Sequence, residues 1–481
     1  MESDFYFLVS RANLLVSLNM KKEVFTYRTR IEAPLELVFR WHTTSGALER
    51  LMPPWERWEI LEQPSCIKDG ARAVIKLKIG PFSRRWVVEH RGYREGVGFK
   101  DVQVSGPFKL WEHSHLFEPD GPSGCFIEDR IEYVLPFGWI GSIVGGSFVR
   151  NKLKAVFSYR HRIIKEDIEI YKRYGEGNMK VLVTGAGGLI GSALTAFLRA
   201  GGHEVTQLRH SKRIGEVPSG RKEIFWDIEA KRIDLNGIEG HDVVVHLAGE
   251  NIAGMWTGEK KRRIRESRVE GTRFLCESLS KLGEPPQVLV CASAIGYYGD
   301  RGDEILTEEK PKGKGFLADV CSEWESAVEP AVKRGIRVVN LRFGIVLSPK
   351  GGALGMMLLP FRLGLGGRIG SGEQYWSWIA LDDTIGAIYH AIKKTELEGP
   401  VNVVSPNPVT NREFVKTLGR VLGRPVFIPL PESLVRLVAG QMGEEMLLAS
   451  VRVMPKRLLD SGYEFHYPNL EVALRHLLGR M

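Results

Sequence analysis

Lys180-Val-Leu-Val-Thr-Gly185-Ala-Gly-Gly188-Leu-Ile-Gly191 decides the fold of the longer part of this chain. An apolar run opens directly into glycines spaced Gly-x-x-Gly-x-x-Gly. SALTAFLRAGG (192–202) then carries helical apolar spacing and stops at Gly201-Gly202. HEVTQL (203–208) begins another strand. Strand, glycine turn, helix and strand form the context a dinucleotide requires. The glycines permit a tight turn and let backbone approach a pyrophosphate, while the helix N-terminus offers unpaired N–H groups and its positive end. Gly185, Gly188, Leu189, Ile190 and Gly191 are therefore cofactor-binding candidates.

Outward from this loop, the second strand ends in Leu208-Arg209-His210-Ser211-Lys212-Arg213. An acidic residue there would grip a ribose 2′-hydroxyl and repel a 2′-phosphate. Arg209 instead offers a planar donor fork to that phosphate. The expected cofactor is NADP, the plain alternative being a solvated basic loop. Small residues after DVVVH, at Leu247-Ala248-Gly249, allow a ligand to lie against that strand end or simply pack.

The texture differs before residue 175. Phe25, Tyr27, Thr29 and Ile31 share one strand face, opposite Thr26, Arg28 and Arg30. Pro34 suits the first turn of a short helix through Leu37, Val38 and Phe39. AVIKLKI (73–79), RWVVEH (85–90) and FIEDRIEYVL (126–135) read as strands, and Ser147 to Tyr171 as a long amphipathic helix. In KLWEHSHLF, His113 and His115 would share a face. Two such histidines can bind metal, but no third ligand lies near them in sequence, so ordinary strand histidines are preferred and no metal is expected.

The 481 residues are too many for one ordinary core. Composition is 43% hydrophobic and 26% charged, which argues against a disordered, collagenous or membrane-embedded chain. No run of 18 apolar residues suggests a membrane span. The stretch 1–19 is interrupted by Arg11 and Asn13 and lacks a cleavage site, so it reads not as a signal peptide but as a disordered extension or as sequence upstream of the start at Met20. Five scattered cysteines without a CxxC pair point to neither disulfides nor zinc, and to a reducing cytoplasm. The net charge of +9 is spread over the chain, so no nucleic-acid partner is expected. The oligomeric state is not legible.

The glycine spacing resembles the extended short-chain dehydrogenase/reductase superfamily. Further phrases narrow the resemblance: HLAGENIAG (246–254), MWTGEKKRRIRESRVEGT (255–272), SAIGYYG (293–299), LRFGIVLSPKGGAL (341–354) and YWSWIALDD (375–383). With the tail at 431–478 they resemble an atypical NAD(P)-dependent epimerase/dehydratase-like family ending in a small helical domain. The N-terminal element order and RTRIEAPLELVF resemble a START-like, polyketide-cyclase domain, which precedes the epimerase part in some members. The implied architecture is an α/β Rossmann-type doubly wound parallel sheet preceded by an α+β helix-grip domain. The expected domains are 20–174 (helix-grip, holding an apolar ligand), 179–423 (NADP-binding) and 424–481 (helical). By resemblance, Asp227 meets the adenine amino group, and Leu247, Ala248 and Gly249 line the adenine and its ribose. Arg268 is expected to hydrogen-bond the loops around the cofactor, a surface ion pair being the alternative.

Active relatives use a Ser/Thr, then a Tyr with a Lys four residues later. Ser293 fits the first position. Aligning FLADVCSEWE (316–325) on Glu325 puts Leu317 at the Tyr position and Cys321 at the Lys position. The dyad is absent. Tyr298 is the expected catalytic substitute beside Ser293, with pocket lining or packing as alternatives; Lys260 and Arg268 are the available cations. Asp382 and Asp383 are expected to cap a helix. The leading reading is an NADP-dependent oxidoreductase or epimerase acting on a carbonyl- or hydroxyl-bearing small molecule. A non-catalytic NADP(H) sensor is the alternative, and a lipid or quinone carrier the third.

Overall fold

A computed structural model describes residues 22–64, 66–79, 82–136, 138–175, 178–210 and 223–481. The extension at 1–19 and the basic residues Lys212 and Arg213 lie outside the described residues. The chain forms two compact units, Met1–Lys172 and Arg173–Met481.

In the first unit, seven strands form one antiparallel sheet: β1 (Glu23–Ile31), β2 (Trp58–Glu62), β3 (Arg72–Ile79), β4 (Phe82–Arg94), β5 (Gly98–Ser105), β6 (Leu110–Pro119) and β7 (Cys125–Val134). Their order is β1-β7-β6-β5-β4-β3-β2. Two short helices, α1 (Leu35–Thr43) and α2 (Ala47–Arg50), follow β1, and a long helix α3 (Gly138–Tyr174) follows β7. The β1 alternation holds: Phe25, Tyr27, Thr29 and Ile31 turn inward while the residues between them are exposed. Leu153, Val156 and Phe157 of α3 pack on Trp86, Trp111, Ile131 and Tyr133 of the sheet. The helix starts nine residues before the expected Ser147. Gly141, Gly145 and Gly146 depress local helix propensity there, and that misled the reading.

The second unit is a doubly wound parallel sheet. Its strands are β8 (Lys180–Thr184), β9 (Glu204–His210), β10 (Glu223–Asp227), β11 (Arg232–Ile233), β12 (Val243–His246), β13 (Val288–Ala294), β14 (Arg337–Phe343) and β15 (Gly399–Val403). The order is β11-β10-β9-β8-β12-β13-β14-β15, with the short β11 antiparallel to β10. β12, buried along its whole length, reads as the continuous apolar run of a sheet covered on both faces. The helices that matter for the site are α4 (Leu189–Ala200), α5 (Gly258–Leu279), α6 (Phe316–Ser326), α7 (Leu381–Lys393), α8 (Asn411–Leu422), α9 (Glu432–Gly443) and α10 (Leu470–Leu478). Among the described residues no helix is long and apolar enough to cross a membrane.

Asp382 and Asp383 do not cap α7, whose N-terminus has no side-chain cap. Asp383 accepts the Tyr467 and His466 backbone N–H groups, and Asp382 pairs with His476 at 3.0 Å. They tie the C-terminal segment to α7 because their carboxylates are buried and need those donors.

Candidate cofactor and substrate site

Strand order reverses between β8 and β12, and a doubly wound sheet opens a crevice beyond the C-terminal ends of such strands. Gly185 and Leu247 follow those two strands directly. Gly185 has φ +67°, and a Cβ there would lie 2.7 Å from the Leu247 carbonyl carbon. A Cβ on Gly191 would lie 2.2 Å from the Gly185 carbonyl oxygen. Both positions therefore demand glycine. Gly187, by contrast, faces open space. Gly188 precedes α4 without a side-chain cap, leaving the first N–H groups of Leu189 and Ile190 to a ligand. The turn fits a pyrophosphate.

The crevice floor is fixed by buried polar groups. Thr184 Oγ1 accepts the backbone N–H groups of Leu247 and Ala248, each at 3.1 Å. Its hydroxyl donates to His246 Nδ1 at 2.7 Å, which leaves the proton of the neutral ring on Nε2, facing Thr272 Oγ1 at 3.0 Å. Burial pushes His246 down to about 4, so it stays neutral. Trp324 Nε1 donates to the same Thr272 oxygen.

Arg209 ends β9 with a half-exposed side chain, paired at 3.0 Å with the otherwise buried Glu223. Asp227 ends β10; its carboxylate takes the Ala230 N–H at 2.9 Å and is held below the usual carboxylate range chiefly by that bond. Arg268 reaches from α5 to the Glu250 and Ile264 carbonyls, lies over the Trp324 ring and runs beside Gly249. It braces the loop after β12 as a positioning group. Lys260 pairs with Glu250 at 2.5 Å.

The structure links Ser293 to Tyr298 only through Glu325 and Arg342, and it does not leave Tyr298 for a substrate. Tyr298 is fully buried. Its hydroxyl meets the Thr307 carbonyl at 3.1 Å and Asn402 Oδ1 at 2.8 Å, and accepts from Arg342 at 2.9 Å. Burial, partly offset by Arg342, pushes it up to about 12. The expectation of a catalytic Tyr298 is corrected: three partners and complete burial make it a packing residue. Ser293 donates to Glu325 at 2.6 Å, and Glu325 receives a two-pronged pair from Arg342 at 2.8 and 2.7 Å. Cys321 is buried, and that burial pushes its thiol up to about 12, against a reactive role.

Leu317 lies on the wall of a cavity of about 390 Å³, with Gly296, Lys314, Gln374, Arg436 and Glu445. Glu445 accepts the backbone N–H groups of Phe316 and Leu317 at 3.0 and 2.8 Å, capping α6 where the absent Tyr would stand. Sequence reading missed Glu445. It lies more than a hundred residues after α6, and no local pattern ties the two.

Residues 181–404 match the NAD dependent epimerase/dehydratase family. Residues 31–161 match the polyketide cyclase/dehydrase and lipid transport family, and 430–477 match a domain of unknown function. An epimerase family protein of Mycobacterium bovis, Mb2239, is 41% identical over 63% of this chain and 99% of its own length. The crystal structure of the nucleoside-diphosphate sugar epimerase from Corynebacterium glutamicum is similar at 35% identity and TM-score 0.77, over 95% of this chain and 90% of that one. Human epimerase family protein SDR39U1 (isoform 2), crystallised with NADPH, shares 38% identity at TM-score 0.56, over 62% of this chain and 99% of that one.

Proposed function

The chain belongs to the NAD-dependent epimerase/dehydratase family, as an atypical short-chain dehydrogenase/reductase preceded by a polyketide-cyclase-type domain, and on that premise we propose an NADP(H)-dependent oxidoreductase or epimerase. Its substrate is a carbonyl- or hydroxyl-bearing small molecule taken up beside Leu317 and Glu445. The observation that carries this reading is the Gly185–Gly191 turn, where backbone fills the space of two missing Cβ atoms while Gly187 and the head of α4 stay open. The human relative crystallised with NADPH supports the choice of cofactor. Residues 20–174 are taken as the separate ligand-binding domain, 179–423 as the NADP-binding domain and 424–481 as the helical one.

When bound, the nicotinamide supplies or accepts a hydride. The Leu189 and Ile190 N–H groups would hold the pyrophosphate, Arg209 the 2′-phosphate and Asp227 the adenine end. Arg268 and the Thr184–His246 pair keep the loop after β12 in place. Ser293 is fixed by Glu325 at the end of β13. Without a Tyr/Lys pair, a proton must pass through the cavity's own polar groups or water, so turnover is slow.

Arg209→Ala should weaken NADPH binding by about 1.5–3 kcal/mol, roughly 10–150-fold, with NADH binding unchanged. Fluorescence titration checks this; equal losses for both cofactors would mean that Arg209 serves only its pair with Glu223.

A second reading, a protein that binds NADP(H) without turnover, is favoured by Leu317, Cys321 and the locked Tyr298. NADPH oxidation against a panel of aldehydes, ketones and nucleotide sugars separates the two. Oxidation with one class supports the enzyme. Tight NADPH binding with neither NADPH consumption nor an epimerised product across the panel replaces it with the binding protein.

A further inference from the structure

The register of the N-terminal sheet sets three histidines and two aspartates side by side. Asp101 of β5 lies opposite His113 of β6 on one side and opposite His90 of β4 on the other. His115 of β6 lies opposite Asp129 of β7. Asp101, His113 and His115 line one wall of a cavity of about 340 Å³ shared with Trp58, Trp86 and Trp111.

The hydrogen bonds assign the ring nitrogens. His113 Nε2 lies 2.6 Å and His115 Nδ1 2.9 Å from the same Asp129 oxygen, and His161 Nε2 from α3 lies 2.7 Å from the other. Rings that donate to Asp129 turn their lone-pair nitrogens away from it, towards Asp101. His115 Nε2 is then 3.2 Å and His113 Nδ1 4.0 Å from Asp101 Oδ2. His90 Nδ1 occupies the other Asp101 oxygen at 2.6 Å. One ring nitrogen from each histidine and a carboxylate oxygen thus converge, all within 4.8 Å of one another. With both rings neutral these would be three acceptors; a proton on His115 lets its Nε2 donate to Asp101 Oδ2 at 3.2 Å, and a metal ion would take that proton's place.

A proton on His115 answers one of these contacts. A divalent ion answers all three. Ligands at about 2.0–2.2 Å from a common ion stand roughly 3.0–3.6 Å apart; His115 Nε2 and Asp101 Oδ2 already lie within that range at 3.2 Å, while His113 Nδ1 at 4.0 Å must draw in. Asp129 accepting from the far nitrogens of both histidines is the carboxylate–histidine support that metal sites use to fix ring orientation and raise basicity. The two-histidine, one-carboxylate set leaves further coordination positions open to the cavity.

We propose that Asp101, His113 and His115 bind a divalent first-row transition ion in the N-terminal domain, with Asp129 orienting both histidines and the open coordination positions facing the aromatic cavity. The sequence placed the two histidines on one face. The third ligand comes from another strand, which is why the reading there fell to ordinary strand histidines.

Cobalt(II) titration of the full-length chain, freed of metal by chelator, tests this. The expected result is visible d–d absorption saturating at one ion per chain, with quenching of tryptophan fluorescence, since the Trp111 ring lies 6.4 Å from that of His113. Asp101→Asn combined with His113→Gln should remove the band. Asp129→Asn should weaken binding about 10–100-fold without removing any ligand. Circular dichroism verifies that the variants fold. Wild-type protein that shows no saturable band overturns the proposal whatever the variants do. A folded double variant that keeps one tightly bound ion also overturns it, because the ion then lies elsewhere.

Discussion

Gly191→Val should abolish measurable NADP(H) binding, a loss of more than about 100-fold. The Cβ of any residue there meets the Gly185 carbonyl oxygen at 2.2 Å and its carbon at 2.8 Å. Both are backbone atoms and cannot rotate aside, so the turn between β8 and α4 must open. Opening it moves the Leu189 and Ile190 N–H groups away from the pyrophosphate they are held to receive. Gly187→Ala is the control: nothing lies within 4 Å of its Cβ, so that variant should keep the wild-type thermal transition. Titration of both variants with NADPH, beside their melting curves, checks the pair. Wild-type affinity in Gly191→Val would place the cofactor elsewhere.

Glu325→Leu should lower the stability of the second unit by about 3–5 kcal/mol. The Arg342 side chain is 3% exposed and gives both prongs of its guanidinium to Glu325. It also meets the Tyr298 hydroxyl and the face of the Tyr297 ring, 3.5 Å away. Glu325 holds the Arg342 guanidinium above its ordinary value against the cost of burial. Without the carboxylate, a buried cation is left unpaired. Arg342→Met in the same chain should recover part of the loss, because both charges then disappear together. Denaturant unfolding of the two single variants and the double variant measures this. A Glu325→Leu chain within about 0.5 kcal/mol of wild type would mean that water reaches Arg342.

What could be read from sequence was local. The glycine turn, the strand before it and the helix after it are contiguous, so that stretch of the fold was legible residue by residue. The β1 alternation was equally plain. The reading failed where partners come from afar. Tyr298 stands five residues after Ser293, which made it look like a substitute catalyst. Its burial depends on Arg342 and Asn402, which come from other strands of the sheet. Asp382 and Asp383 open a helix, as capping residues do, yet their donors lie in the C-terminal segment. Asp101 and His113 are twelve residues apart and meet only through the pairing of β5 with β6. Glu445 is set against α6 by packing that no periodicity announces.

The most direct measurement is a fluorescence titration of the full-length chain with NADPH and with NADH. The expected result is saturable one-to-one binding of NADPH, at least about tenfold tighter than NADH, and its loss in Gly191→Val. Wild-type protein that binds neither dinucleotide saturably would contradict the assignment of the Gly185–Gly191 turn as a cofactor site.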